Sequence, residues 1–144
     1  MQSSFEALRR NTQRSVGEVF LLDMGRDIGI TPKDGYETRR KMFVILGFDD
    51  EGNAYGGVVF NSTINKNLHD AIARLHIRIS SIEYSFLEYD CFLDCSKLFE
   101  IKHSVLIQGE CVGNVSSELI NEAILTIKSN PTISIAKRIQ FGII

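Results

Sequence analysis

Two apolar runs, Met42-Phe43-Val44-Ile45-Leu46 and Val58-Val59-Phe60, stand one short polar segment apart, and this pairing limits the fold more than any other feature of the chain. β-Branched and aromatic residues in runs of this length read as strands. Between them, Asp49-Asp50-Glu51-Gly52-Asn53 supplies Gly and Asn, which tolerate positive φ, so the reading is a β-hairpin over 41–47 and 55–61. A basic triplet, Arg39, Arg40 and Lys41, leads into the first strand, and Asn61-Ser62-Thr63 follows the second. Cations beside hydroxyls suit phosphate, because guanidinium groups grip its non-bridging oxygens while hydroxyls donate to developing negative charge. Plainer readings stand beside that one. Short charge runs are commonly solvated edges, Ser62 and Thr63 can satisfy backbone groups at a strand end, and Asn61 can hold a turn.

Other elements arrange themselves around the hairpin. Gly17 to Met24 is apolar almost throughout and reads as a central strand covered on both faces. Gly25 to Thr38 contains Pro32 and Asp34-Gly35 without periodicity and reads as a long loop, a place where function often resides. Residues 3–13 read as a short helix with Ser3 or Ser4 as its cap, and residues 64–75 as an inserted loop and short helix. Short β segments are expected at His76 to Ile82, Tyr84 to Leu87, Cys91 to Leu93 and Val105 to Gln108. The period then changes. Val115, Leu119, Ile120, Ala123, Ile124 and Ile127 make an amphipathic helix capped by Ser116. Asn130-Pro131 ends it, a further short helix carries Ile133, Ala136 and Ile139, and the apolar tail Phe141-Gly142-Ile143-Ile144 is suited to dock on the core or on a partner. The fold class is mainly β with helical additions (α+β), in a single domain over 1–144.

Composition narrows the function classes. At 144 residues the chain can bury roughly two-thirds of its unfolded surface without a disulfide or metal staple. No apolar stretch approaches the roughly 18 residues of a membrane span, and the start Met1-Gln2-Ser3-Ser4-Phe5-Glu6 lacks the basic and apolar regions of a secretory signal, so the expectation is a cytoplasmic protein away from membranes. A net charge of −2 gives no global attraction for nucleic acid. Any such contact is local, at Arg9, Arg10 and Arg14 or at Arg39, Arg40 and Lys41. Cys91, Cys95 and Cys111 match no common zinc spacing and are expected reduced and mostly buried, with Cys91 and Cys95 on one strand face. His69, His76 and His103 are scattered without a visible carboxylate or nucleophile partner, which favours surface or helper roles. Gly56-Gly57 lacks the context of a nucleotide-binding loop. No metal and no cofactor are expected.

The order of these elements resembles the PemK/MazF family of toxin endoribonucleases. Gly17-Glu18-Val19-Phe20-Leu21-Leu22-Asp23 is similar to the family's opening strand, Arg40-Lys41-Met42-Phe43-Val44-Ile45-Leu46-Gly47 to its Arg-Pro and apolar strand, and Val58-Val59-Phe60-Asn61-Ser62-Thr63 to its strand closing on a catalytic Thr. Glu88-Tyr89-Asp90 falls where the family often carries an Arg two residues before an Asp, and Val112-Gly113-Asn114-Val115-Ser116 is similar to its entry to the last helix. Met42 stands where the family has Pro, Glu88 where it has Arg, and strict register places Lys41 rather than Arg40 at the cation position.

This resemblance implies an SH3-like small barrel over 17–111 with a C-terminal amphipathic helix in the segment 115–144. It also implies metal-independent cleavage of single-stranded RNA by 2′-hydroxyl attack on phosphate, in a homodimer controlled by an antitoxin protein. Arg40 or Lys41 would then stabilise the pentacoordinate phosphate, Thr63 would hydrogen-bond it, and Asp90 would be the acid/base. Arg39, Tyr36, Asn61 and Ser62 would help to bind the RNA, with Tyr36, Tyr55 or Tyr89 as stacking surfaces. The competing reading is a non-catalytic barrel that binds RNA or a protein partner. A structural member of a larger complex, using the apolar C-terminus, is a third.

Overall fold

The computed structural model describes residues 16–25, 38–60 and 75–143. The expected helix at 3–13, nearly all of the loop after Gly25 and the insertion at 64–75 lie outside the described residues, apart from the segment ends at Gly25, Thr38 and Leu75. Six strands run in chain order: β1 (Glu18–Gly25), β2 (Thr38–Phe48), β3 (Ala54–Phe60), β4 (His76–Ile79), β5 (Cys91–Ile101) and β6 (Glu110–Asn114). Three helices are described: α1 (His103–Leu106), α2 (Ser117–Lys128) and α3 (Ile135–Gln140). The strands form one open antiparallel sheet in the order β4-β5-β3-β2-β1-β6. The protein is mainly β.

The hairpin forms as its sequence dictates. Asp49 Oδ1 accepts from the backbone N–H groups of Glu51 and Asn53, both at 2.9 Å, and Gly52 takes φ +84°. The turn therefore folds on its own side chain. Asn53 Oδ1 also accepts from the His103 N–H at 3.2 Å, tying the turn to α1.

Alternation along the strands builds a core on each face. On one face Val19, Val44, Leu46, Val59, Cys91, Leu93 and Cys95 pack with Leu119, Ala123 and Ile127 of α2. Each buried Leu or Ile there contributes about 1.5–3 kcal/mol relative to exposure. Ser116 caps α2 by accepting from the Leu119 N–H at 3.2 Å. The apolar tail completes this core, with Phe141 and Ile143 buried and the Phe141 ring 4.6 Å from that of Tyr55. The other face carries a smaller cluster of Leu22, Met24, Phe43, Ile45, Phe99 and Ile101, against which Leu106 of α1 packs.

Four expectations need correction. Tyr84 to Leu87 lies among turns rather than in a strand, and Val105 to Gln108 runs through the end of α1 into a turn. The segment from Cys91 continues to Ile101, far beyond Leu93. The short C-terminal helix exists, but Ile133 is buried ahead of it, whereas Ile135 and Ile139 are exposed.

β5 contains a large bulge. Gly56 pairs with Phe99 and Val58 with Asp94, so Cys95, Ser96, Lys97 and Leu98 oppose the single residue Gly57. A Cβ on Gly57 would stand 2.8 Å from the Asp94 carbonyl oxygen, which explains the glycine. Asn130, fully buried, fastens the bulge: its Nδ2 donates to the carbonyls of Cys95 and Ser96 at 3.3 and 2.9 Å. Its Oδ1 accepts from the N–H and hydroxyl of Thr132.

Candidate functional site

The start of β2, the end of β3, the end of β4 and the start of β5 meet at one end of the sheet. The antiparallel register shows this directly, since Leu21, Met42, Val59, Leu93 and Ile77 form one row across five strands. Arg40 and Cys91 each lie two residues beyond that row, toward the same end. Arg40, Lys41 and Asp90 therefore belong to one region. Tyr36, Asn61, Ser62 and Thr63 lie outside the described residues, as do Arg9, Arg10 and Arg14; Arg39 stands in β2 opposite Met24.

The two cations face opposite ways. Arg40 shares a face with Met42, which packs on the larger core, whereas Lys41 shares the face of Phe43 in the smaller one. The Arg40 guanidinium lies 3.6 Å from Asp23 and 3.8 Å from Glu110, on the neighbouring strands β1 and β6. All three side chains are more than half exposed, so the pairs are long, solvated and weak. Beside them a groove of about 280 Å³ is lined by Leu21, Met42, Phe86, Tyr89 and Val112, with Glu88 on its wall.

On the opposite face the arrangement is tighter. Arg78 Nη2 donates to Asp90 Oδ2 at 2.6 Å, while Asp90 Oδ1 accepts from the Ser81 N–H at 2.9 Å and from its hydroxyl at 3.1 Å. The Ser81 N–H first, then the Arg78 side chain, hold the Asp90 carboxyl below its ordinary value of 3.8. Asp90 thus remains ionised at neutral pH and fastens the connection between β4 and β5. Arg78 stands opposite Phe92 in register and shares the Lys41 face, because Ile77 and Ile79 are the residues of β4 turned inward. β2 and β5 are two strand spacings apart, about 10 Å.

Arg78 and the half-buried Phe92 were not among the residues expected from sequence. The period-two pattern His76-Ile77-Arg78-Ile79 contains the signal, since two inward isoleucines leave Arg78 on the other face.

Histidine and cysteine also have defined places. His76 is not without a carboxylate partner: its Nε2 lies 3.4 Å from Asp94 Oδ1, and both side chains are about nine-tenths buried. Their facing positions on β4 and β5 are invisible in one dimension. Cys91 and Cys95 are buried on the larger core face and Cys111 is exposed, none of the three in a disulfide. Burial, with help from Asp94 and Glu122, pushes the Cys95 thiol up to about 12, so it is a packing group rather than a nucleophile. Among the described residues no three His, Cys, Asp or Glu side chains are grouped as a metal site would need, and no helix is long and apolar enough to cross a membrane.

No protein-family model matches the chain, and no curated protein matches it.

Proposed function

We propose that this protein is a metal-independent endoribonuclease of the PemK/MazF toxin type, acting on single-stranded RNA from the Lys41 face of the sheet end. The observation that supports this reading most is the shared placement of Lys41, Arg78 and Asp90 on that face, at the end where β3 leads into Asn61-Ser62-Thr63. Lys41 and Arg78 supply positive charge to the phosphate, and the Thr63 hydroxyl donates to it as the 2′-oxygen attacks. The bond from the 2′-oxygen to phosphorus forms, the bond to the 5′-oxygen breaks, the 2′ proton passes to Asp90, and solvent protonates the departing 5′-oxygen. Phe92 offers an aromatic surface between the charged strands.

The fold that belongs with this reading is an SH3-like barrel. Its support is curvature: register shifts interrupt β1 against β6, β2 against β3 and β3 against β5, and such bulges bend and coil a sheet. A homodimer, an antitoxin partner and a cytoplasmic location complete the proposal.

Incubation with a long single-stranded RNA in excess chelator tests it. Cyclic-phosphate ends are expected from the wild type, with loss of cleavage in Lys41→Ala and Thr63→Ala and retention in Arg40→Ala. Because Asp90 is held low, the acid limb of the pH profile is expected below 3.8.

One observation favours a second reading. The groove is mainly apolar with Glu88 on its wall, and at the ends of the strands that line it Arg40 is outnumbered by Asp23 and Glu110. That chemistry suits an apolar protein segment with basic flanks, taken up by a non-catalytic module. Folded protein that leaves RNA intact would shift the conclusion to this reading.

A further inference from the structure

We infer that the bulge of β5 and the segment leading into α3 form a binding site for a small phosphomonoester, remote in sequence from the strand-end residues and independent of the RNA reading. A cavity of about 360 Å³ opens there, with Ser96, Lys97, Thr132, Ser134 and Lys137 among its walls. That volume lies at the low end of the roughly 300–1,000 Å³ typical of ligand pockets, larger than a bare oxyanion needs.

The charges in this pocket are unspent. Neither Lys97 nor Lys137 forms an ion pair with a carboxylate among the described residues. Two lysines thus line one cavity in a protein of net charge −2. The hydroxyls differ in what they can still do. Thr132 donates to Asn130, and Ser96 donates to Asp94. Ser134 Oγ accepts from the Lys137 N–H at 3.2 Å, which leaves its own proton available. Two cations and a hydroxyl donor match the acceptor oxygens of a phosphate dianion. Asp94, the nearest carboxylate on the bulge, is turned to the N–H and hydroxyl of Ser96 and to His76.

The pocket is built rather than incidental. Four residues bulge against one in the interior of the sheet, and a fully buried Asn130 joins that bulge to Thr132 through four hydrogen bonds. Bulges of this kind re-aim side chains, and here Lys97, exposed on the bulge, lines the same cavity as Lys137. The remaining volume accepts the organic part of the ligand, against Leu98 and Ile133.

Titration of the full chain with ribose 5-phosphate, AMP, inorganic phosphate and ribose, followed by amide chemical shifts and calorimetry, tests the site. Saturable shifts are expected at Ser96–Phe99 and Thr132–Lys137 with either phosphomonoester, weaker binding of inorganic phosphate, and none of ribose. Whichever of ribose 5-phosphate and AMP binds more tightly identifies the organic part. Lys97→Gln with Lys137→Gln should weaken binding by more than about tenfold while leaving the fold intact, since two charge-assisted contacts are lost. Lys102→Gln, elsewhere on the chain, should bind as wild type does. Unsaturable shifts, shifts outside those two segments, or an affinity unchanged in the double variant would each overturn the site.

Discussion

The strand-end region and the bulge pocket use charge in opposite ways. At the strand end Arg40 meets Asp23 and Glu110, and Arg78 meets Asp90. In the pocket Lys97 and Lys137 meet no carboxylate among the described residues, while the polar groups beneath them are satisfied by a buried amide. The difference teaches where rigidity comes from. Exposed ion pairs hold a surface loosely, whereas a hydrogen-bonded side chain with no access to water holds the backbone itself.

The comparison breaks most visibly at the buried C-terminal tail. Phe141→Ala removes a buried ring that packs on Tyr55, and urea denaturation should show a loss of about 4 kcal/mol. Asn130→Ala leaves two bulge carbonyls and the Thr132 N–H without their partner; a loss of about 3 kcal/mol is expected, together with loss of phosphomonoester binding. If Asn130→Ala melted like wild type, the bulge would owe its shape to packing alone.

Effects at the strand end are smaller and depend on pH. The Asp90 carboxyl is held below 3.8, so its contribution is complete above that value and disappears as pH falls through the lower folded value. Stability curves of wild type and Asp90→Asn should therefore run apart at a constant spacing above about pH 5 and converge in acid. A gap that widened in acid would contradict the Arg78 and Ser81 contacts. Smallest of all, Arg40→Ala should change stability by no more than about 0.5 kcal/mol, and a double-mutant cycle with Asp23→Ala should find little coupling.

Much of the β scaffold was legible in the residues. β1, the β2–β3 hairpin, the Ser116 cap of α2 and the docked tail all carry local signals: apolar runs, a polar turn with Gly52-Asn53, a period of 3.6. What was not legible depends on partners distant in sequence. β6 is an edge strand of mostly exposed residues, Glu110-Cys111-Val112-Gly113-Asn114, and acquires its conformation from pairing with β1. α1 is four residues long, too short for periodicity to tell Val105 and Leu106 from a strand. At the site, Lys41 and Asp90 could be singled out as residue types. Arg78 and the pairing of His76 with Asp94 required the β4–β5 register, and the bulge could not be anticipated because it rests on Asn130, more than thirty residues later.

The union of β1 with β6 has a kinetic consequence. Glu18 pairs with Asn114, and Gly17, at φ +90°, receives the Val115 N–H on its carbonyl at 2.8 Å. β2 can join β1 across twelve intervening residues, but β6 must return across more than eighty, and loop closure over such a span is slow relative to hairpin formation. In the interval one side of β1 presents unpaired amides to any passing strand, so the refolding rate and the yield at high protein concentration should both be governed by how soon β6 arrives.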